Sequence, residues 1–393
     1  MSSKHYTLLT GVTGFLGRYL LRDLTLKGIR LAVLVRSKGK ATAERRVDAL
    51  LSHWEAELGF PLCRPMCLEG DVADPGLLLS REARRWIAGH CNRVLHSAAS
   101  LTFRCGDRAR DPWLSNYTGT LNVAAFCRES GIRELHHVST AYVCGTRRGP
   151  IAEVELEAGQ QFRNDYEASK CAAEAWLRRH AEVDSLTVYR PAVITGDWRT
   201  GYTSTYHGVY RFFQFIWLMA QQAAPTTGTR WDLPIRLRLT GDEPRNLVPV
   251  DWASELVARL VTQAKARGKT FHLTPAVPAR TSQVEEALAD YFGYRGVSFV
   301  GPDGAPDATL SQLERFFNHY TDTHQDYLHS EPAFDAANLD ALAPDLPSPR
   351  VDLRYLKRLI DFGVRDRWGK GHSAARRAPA RRVELYFGRE GAA

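Results

Sequence analysis

The sequence has no long hydrophobic run and no leader-like start. Its most apolar late stretch, 212–219, is far shorter than the roughly 20 residues needed to cross a bilayer. The first residues lead directly into an apolar strand pattern, which leaves no room for the charged region, apolar region and cleavage site of a signal peptide. We therefore expect no transmembrane helix, no export and a cytoplasmic protein.

Cysteine is scarce and unpatterned. The chain has 7 cysteines scattered through its first half, and of these Cys63 and Cys67 are separated by only three residues. Two thiols supply at most two ligands, which is fewer than a structural zinc site needs. We expect reduced thiols and no metal.

Acidic residues are outnumbered, with 44 Asp and Glu against 52 Lys and Arg and a formal net charge of +8. Much of the excess lies near the C-terminus, at Arg365, Arg367, Lys370, Arg376, Arg377, Arg381 and Arg382. Such a segment is either a solvated tail or a surface that attracts an acidic carrier protein, a phosphorylated substrate or, by peripheral contact, an anionic membrane. It has no recognisable nucleic-acid-reading element beside it, so we expect no nucleic-acid partner. The role of this tail and the oligomeric state stay open.

Strand-like and helix-like segments alternate through the first half of the chain. Six short apolar runs, separated by helical patterns, stand at 6–10, 31–35, 65–69, 93–97, 134–139 and 186–189. Connections of this length predict right-handed crossovers in a doubly wound parallel sheet. We predict an α/β Rossmann domain that binds NADP over 1–199, a smaller, mostly helical substrate-binding lobe over 200–365 and a basic tail over 366–393. Strands near 235–239 and 270–273 are expected to return from the lobe to the Rossmann sheet.

A glycine-rich turn joins the first strand pattern to the first helix pattern. Gly11 suits a tight turn, Gly14 lets a pyrophosphate approach backbone N–H groups at the positive helix end, and Gly17 lets helix and strand pack closely. The strand before and the helix after distinguish this spacing from chance. We assign dinucleotide binding to Gly11, Thr13, Gly14, Phe15, Leu16 and Gly17.

The end of the second strand carries Arg36 where NAD enzymes place an acid for the ribose hydroxyls. An Arg pairs bidentately with phosphate and stacks beside adenine, so Arg36 favours NADP(H); a plain surface Arg is the alternative. Asp71 and Val72 follow the third strand, where the carboxylate can accept a hydrogen bond from the adenine amino group. Small side chains that allow close approach of the ribose and nicotinamide end the fourth strand, at Ser97, Ala98 and Ala99.

Tyr166 and Lys170 are four residues apart in a helix pattern after the fifth strand. On a helix this spacing places both side chains on one face, so the ammonium is expected to lower the pKa of the phenol from about 10. Thr140, at the end of the fifth strand, would place a hydroxyl beside the same carbonyl oxygen, with Ser139 as the competing residue. We predict a proton-transfer centre of Thr140, Tyr166 and Lys170, the last two of which also hold the cofactor.

Together these motifs resemble the extended short-chain dehydrogenase/reductases over residues 1–270. Similarity to the thioester reductase and fatty acyl-CoA reductase branch rests on segments 11–17, Arg36, 137–142, 162–174, 189–191 and 246–251. The resemblance implies an NADPH-dependent enzyme of lipid metabolism that reduces a hydrophobic acyl thioester, held on coenzyme A or a carrier protein, to an aldehyde or alcohol. It also implies that Asn116 supports the active-site water and lysine, and that Pro191 lies against the cofactor.

Two other functions stay open. The sequence contains neither an adenylation domain nor a recognisable carrier segment, so we expect a stand-alone enzyme, unlike the modular thioester reductases. An NAD(P)-dependent alcohol or ketone oxidoreductase acting on a lipid such as a sterol would use the same three catalytic residues. A catalytically idle NADPH sensor is disfavoured, because it would not need the complete set.

The stretch 203–219 is rich in aromatic residues, namely Tyr206, Tyr210, Phe212, Phe213, Phe215 and Trp217. If these side chains face inward, they suit a greasy acyl chain or a polycyclic substrate better than a sugar. Aromatics also dominate ordinary cores, so lobe core and substrate wall are both consistent with the sequence.

Overall fold

The computed structural model describes residues 5–223, 230–329 and 331–370. Its α-helices in these ranges are α1 (Phe15–Leu26), α2 (Ala43–Leu58), α3 (Arg81–His90), α4 (Gly119–Ser130), α5 (Asp165–His180), α6 (Val209–Ala220), α7 (Val250–Leu260), α8 (Thr281–Phe292), α9 (Gln312–His329), α10 (Ala337–Leu342) and α11 (Leu353–Arg365). Its strands are β1 (Tyr6–Thr10), β2 (Arg30–Val35), β3 (Met66–Glu69), β4 (Cys91–His96), β5 (Glu134–Val138), β6 (Pro150–Ile151), β7 (Ser185–Pro191), β8 (Val193–Thr195), β9 (Trp231–Asp232), β10 (Arg236–Leu237), β11 (Pro244–Arg245), β12 (Leu247–Pro249), β13 (Thr270–Leu273), β14 (Ala279–Arg280), β15 (Tyr294–Arg295), β16 (Ser298–Phe299) and β17 (Ala333–Phe334).

Seven parallel strands form the central sheet in the order β13-β7-β5-β4-β1-β2-β3. The inner strands are apolar runs that bury both faces, as expected for a sheet covered by helices on each side. The direction of winding reverses at β1, where Leu8 lies opposite Ala32 of β2 on one side and Val94 of β4 on the other. Ligands bind beyond the carboxyl ends of the strands at such a point. The predicted doubly wound Rossmann fold is confirmed.

Helix α1 leaves the glycine-rich turn with Gly14 as its N-cap and buries Leu16, Leu20 and Leu24. This four-residue spacing places the three leucines on one face of the helix. The same helix packs against α7. The glycine turn is therefore held between the sheet and a two-helix layer.

Helix α6 contacts α8, α9 and α11, and α8 contacts α11, in a second unit, the lobe. Its core contains Phe213 and Phe215 of α6, Leu288 of α8, Phe317 of α9 and Leu356 of α11. Short strand pairs, β10 with β16 and β9 with β15, complete the lobe. The predicted smaller, mostly helical second unit is present.

The prediction that 235–239 returns to the Rossmann sheet is wrong. Strand β10 pairs instead with β16, and Ile235, Leu237 and Leu239 line a cavity of the lobe. A short alternating run is satisfied by any neighbouring edge that offers hydrogen bonds, so its pattern did not specify the partner. The 270–273 prediction is confirmed, because β13 pairs with β7.

Two segments depart from the predicted boundaries. Helix α7, inside the range assigned to the lobe, packs against α1 of the Rossmann unit. Residues 366–370, assigned to the tail, are folded: Trp368 is buried, and Asp366 accepts a hydrogen bond from Tyr206 at 2.6 Å. The rest of the predicted tail, 371–393, lies outside the described residues, so its contacts with a carrier or a membrane stay predictions.

In the described ranges, no helix combines the length and apolarity required to cross a membrane.

Candidate active site

The glycine-rich turn is shaped by close backbone contacts. Gly11 has φ +77°, and a Cβ there would lie 2.5 Å from the amide nitrogen of Ala98. A Cβ on Gly17 would overlap the carbonyl oxygen of Gly11. The N–H of Gly14 donates to that same oxygen at 2.9 Å, and α1 starts immediately afterwards. The result is a cradle at a helix N-terminus, which fits a pyrophosphate.

The neighbouring strand end is fixed by a threonine to which sequence reasoning gave no role. Thr10 Oγ1 accepts hydrogen bonds from the backbone N–H groups of Ser97 and Ala98, each at 3.2 Å. The same oxygen lies 2.8 Å from Nδ1 of His96. These bonds hold the predicted segment 97–99 against the glycine turn.

His96 is a neutral member of this network. Its Nε2 lies 3.1 Å from Thr120 Oγ1, and Thr120 donates its hydroxyl hydrogen to the Asn116 carbonyl at 2.6 Å. The network therefore assigns the imidazole proton to Nε2. Burial and the Lys170 charge lower the pKa of His96 to about 3. The histidine positions backbone and carries no charge at neutral pH.

A second group of predicted residues lies at the ends of β2 and β3. The Arg36 guanidinium donates to the Asp71 carboxylate at 3.2 Å, and 65% of the arginine side chain is exposed. Arg46 of α2 donates to the carbonyl of Arg36. Val72 follows, and its carbonyl accepts from Asn122 at 2.9 Å. An exposed guanidinium thus lies where the sequence places the adenosine end of the cofactor.

Tyr166 and Lys170 lie one turn apart on α5. The helix begins after Asn164, whose side chain accepts from the backbone N–H of Glu167 at 3.0 Å. Thr140 Oγ1 accepts from the backbone N–H of Tyr142 at 3.3 Å and donates to the Pro191 carbonyl at 3.5 Å, and it lies near enough to the phenol of Tyr166 to affect its pKa. The structure therefore brings the three predicted catalytic residues together.

The protonation of this centre differs from the sequence prediction. Burial raises the pKa of Tyr166 to about 12, and the nearby Thr140 hydroxyl opposes this rise. The expected lowering by Lys170 is wrong, because the ammonium is directed to the Val138 carbonyl at 2.7 Å and lies 3.4 Å from Nε2 of His137. Burial also lowers the pKa of Lys170 to about 8. Near neutral pH, Tyr166 keeps its proton and Lys170 is mainly charged.

Of the two hydroxyls at the end of β5, that of Thr140 lies near the phenol. Ser139 instead donates its backbone N–H to the Tyr189 carbonyl at 2.7 Å. The geometry favours Thr140 over Ser139 as the partner of Tyr166.

Asn116 is buried in a π-helical turn, Leu114–Thr118. Its amide nitrogen donates to Ser169 Oγ and to the Ser100 carbonyl, both at 3.1 Å, and its oxygen accepts from the Ser100 N–H at 2.8 Å. Asn116 therefore braces α5 beside Lys170 and the loop after β4.

One cavity of about 550 Å³ runs from the glycine turn into the lobe. The predicted residues that line it are Gly11, Gly14, Phe15, Leu16, Gly17, Ser97, Ala99, Thr140, Tyr166, Lys170 and Pro191. The predicted residues outside its lining are Thr13, Arg36, Asp71, Val72, Ala98 and Asn116. The catalytic trio thus lies between the nucleotide cradle and the lobe.

The far part of the cavity has an apolar wall. Phe212 and Ile216 of α6 line it, together with Val284 of α8 and Phe317 of α9. Phe213 is fully buried in the lobe core and does not line the cavity. The aromatic stretch therefore provides both core and wall.

Three elements far apart in sequence complete the site. The ring of Phe103 lies 6.0 Å from that of Tyr166, and the Tyr142 hydroxyl donates to Glu331 at 3.0 Å. Arg245 donates to the carbonyls of Tyr327 and Leu328 at the end of α9, at 2.7 and 2.6 Å. Sequence reasoning missed these contacts because no local pattern marks them; only Tyr142 lies within a quoted motif.

The comparisons with known proteins agree with this geometry. The family model described as male sterility protein matches residues 9–257. A non-canonical nonribosomal peptide synthetase, hkm10 of Aspergillus hancockii, is 26% identical over 90% of this chain and 36% of its own length. The chain spans only 25% to 36% of the length of the first curated relatives.

Two solved structures have the same fold. The terminal R domain from the myxalamid PKS-NRPS biosynthetic pathway aligns with a TM-score of 0.73 at 24% identity, covering 94% of this chain and 92% of that one. A thiolation-reductase di-domain from an archaeal non-ribosomal peptide synthetase aligns with a TM-score of 0.71 at 19% identity, covering 93% and 76%. The family match spans more than half of the chain and agrees with the Rossmann cradle and the Tyr166–Lys170 pair. The chain therefore belongs to the male sterility protein family of extended short-chain dehydrogenase/reductases.

Proposed function

We propose that the protein is an NADPH-dependent reductase of hydrophobic acyl thioesters. The observation that carries this proposal is the single cavity that joins the glycine cradle, the Thr140–Tyr166–Lys170 centre and an apolar wall. A polar substrate such as a sugar would meet few hydrogen-bond partners along that wall. Residues 200–365, apart from the α7–β13 segment that returns to the sheet, would form the substrate lobe.

The cofactor assignment rests on the two ends of the nucleotide site. The glycine turn would hold the pyrophosphate, and small residues 97–99 would allow the nicotinamide half to approach. Arg36 supports NADP(H) over NAD(H), because an exposed guanidinium can exchange its single contact with Asp71 for a bidentate contact with a 2′-phosphate.

The catalytic residues suit reduction of a carbonyl. When bound, NADPH supplies the hydride that converts a thioester carbonyl into a tetrahedral oxyanion. Thr140 and the protonated Tyr166 would donate hydrogen bonds to that oxygen. Lys170, fixed by Val138, would keep positive charge beside the phenol and hold the ribose. Collapse of the tetrahedral carbon re-forms C=O and breaks the C–S bond, and the departing thiolate takes up a proton, leaving an aldehyde and a thiol.

The natural thiol carrier is proposed to be coenzyme A or a carrier-protein phosphopantetheine. Support comes from similarity to a nonribosomal peptide synthetase and to a thiolation-reductase di-domain. Both carriers present the acyl group on the same thiol arm, so either source fits the cavity chemistry.

The test is to follow NADPH consumption and free-thiol release in parallel, using acyl-CoA and acyl-pantetheine thioesters and a panel of lipid ketones. Equal amounts of NADP⁺ and thiol would indicate reduction to the aldehyde, and a 2:1 ratio would indicate reduction to the alcohol. NADPH consumption with ketones alone, without thiol, would replace the proposal with a lipid carbonyl reductase.

A further inference from the structure

The apolar wall contains one polar side chain without a partner. His324 on α9 is 8% exposed and lines the cavity beside Phe317 and Leu328. Its Nε2 is buried and has no hydrogen-bond partner among the described residues. Nearly all buried polar side-chain atoms in proteins are hydrogen-bonded, so an unpaired nitrogen in a side chain that lines a cavity points to a ligand group.

His324 lies close to the reacting centre but not in it. The ring of Phe103 separates the two, 5.2 Å from the His324 ring and 6.0 Å from the Tyr166 ring. A substrate carbonyl held by Thr140 and Tyr166 would therefore place its chain, several bonds further on, beside His324. The imidazole can contact the acyl chain without touching the reacting atoms.

The surroundings of His324 favour an electronegative partner. Burial, with a smaller contribution from His207 and Arg211, lowers its pKa to about 4, so the imidazole is neutral at pH 7 and offers one N–H donor. Arg211 lies over the Tyr320 ring at 4.4 Å and donates to Gln214 at 3.0 Å, and these contacts hold its charge where it acts on His324. Among the described residues, no carboxylate shifts the pKa of His324 or His207.

We propose that His324 donates a hydrogen bond to a carbonyl oxygen within the acyl chain, and so selects oxo- or amide-bearing acyl thioesters over plain alkyl ones. This inference rests on the proposed function, because it names the substrate class of the same cavity. The apolar wall binds the hydrocarbon part, and His324 sets the position of one oxygen along it.

The test uses decanoyl-pantetheine and a series carrying one oxo group at successive carbons, with kcat/KM measured for each. We expect the wild type to prefer one or two oxo positions over the plain chain by about tenfold to a hundredfold, since the plain chain leaves the imidazole unpaired. His324→Leu should remove this preference, and His324→Gln should restore part of it through its amide N–H. His319→Leu, an exposed histidine on the same helix, is the matched control and should keep the preference.

Two outcomes would overturn the inference. One is a preference that persists in His324→Leu. The other is a loss that is equal for plain and oxo chains on pantetheine and absent with ethanethiol esters, because the imidazole would then bind the pantetheine arm. Dissociation constants of non-reducible thioether analogues, measured by intrinsic fluorescence, test chain selection by His324 separately from thioester reduction. If the oxo analogues bind more tightly but no thioester is reduced, only the proposed function is contradicted.

Discussion

The two ends of the cavity are built in different ways. At the cofactor end, two strand ends meet through their backbones: Gly11 lies against Ala98, and Thr10 accepts a hydrogen bond from the Ala98 N–H. At the substrate end, side chains from α6, α8 and α9 meet across more than a hundred residues of sequence. The cofactor end therefore tolerates little change, whereas the wall can vary one side chain at a time.

The largest effect should come from the centre between the two ends. Tyr166→Phe removes the proton donor and should lower kcat by about 100- to 10,000-fold while leaving the dissociation constant of NADPH nearly unchanged. Tyr6→Phe, at the opposite end of the sheet, is the control. Unchanged turnover in Tyr166→Phe would remove this residue as the acid.

Two adjacent phenylalanines of α6, Phe212 and Phe213, test the difference between the cavity wall and the lobe core. Phe213→Ala should lower the free energy of unfolding by about 3–5 kcal/mol, because Phe213 is fully buried in the lobe core. Phe212→Ala, on the wall, should cost much less stability and shift the chain-length preference of kcat/KM towards longer acyl groups. Urea denaturation and a chain-length series measure both. Equal destabilisation by the two variants would contradict the division.

The cofactor cradle should respond to a single methyl group. Gly11→Ala places a Cβ at φ +77° against Ala98 and should lower the free energy of unfolding by about 1–3 kcal/mol, with weaker NADPH binding. Gly89→Ala, in α3 with open space around it, should instead raise stability by about 1 kcal/mol. A Gly11→Ala protein as stable as the wild type would show that the turn relaxes.

Arg36 tests the adenosine end. Arg36→Ala should lower kcat/KM for NADPH by about tenfold to a hundredfold and leave the value for NADH almost unchanged, since a charged hydrogen-bond partner of the 2′-phosphate is lost. Arg30→Ala, at the other end of the same strand, should change neither value. An equal loss with both cofactors would assign Arg36 a structural role.

The smallest effect near neutral pH should be the dependence of kcat/KM on pH. The pKa of Lys170 is about 8 and that of Tyr166 about 12, so as pH rises Lys170 loses its proton first. We expect kcat/KM to fall about tenfold per unit above pH 8. The lowered lysine pKa also means that folding stability declines as pH falls from about 10.4 to 8 and is then constant. A flat activity profile from pH 7 to 9.5, with the protein folded throughout, would contradict this assignment.

The sequence was sufficient where chemistry is local. The glycine spacing, Arg36 beside Asp71 and the four-residue step from Tyr166 to Lys170 each specify geometry within one element or one strand edge. It was insufficient where burial sets the protonation state. Burial raises the pKa of Tyr166, and Lys170 donates to the Val138 carbonyl instead of acting on the phenol.

Long-range contacts were also beyond the sequence. Phe103 and His324 meet across more than two hundred residues, and no period or motif relates them. The same holds for β10, whose alternating pattern would suit either of two sheets.

The hydrogen bonds that Arg245 donates to the C-terminal end of α9 limit how far the cavity can widen. Arg245 and Glu331 are both almost fully buried, 3.8 Å apart, and Arg245 fills the carbonyl acceptors that a helix end normally exposes. Swinging α9 outward would strand a buried guanidinium and a buried carboxylate, at a cost of about 3–5 kcal/mol. The cavity is therefore rigid at α9. A longer substrate is more easily accommodated by a smaller wall side chain than by movement of this helix.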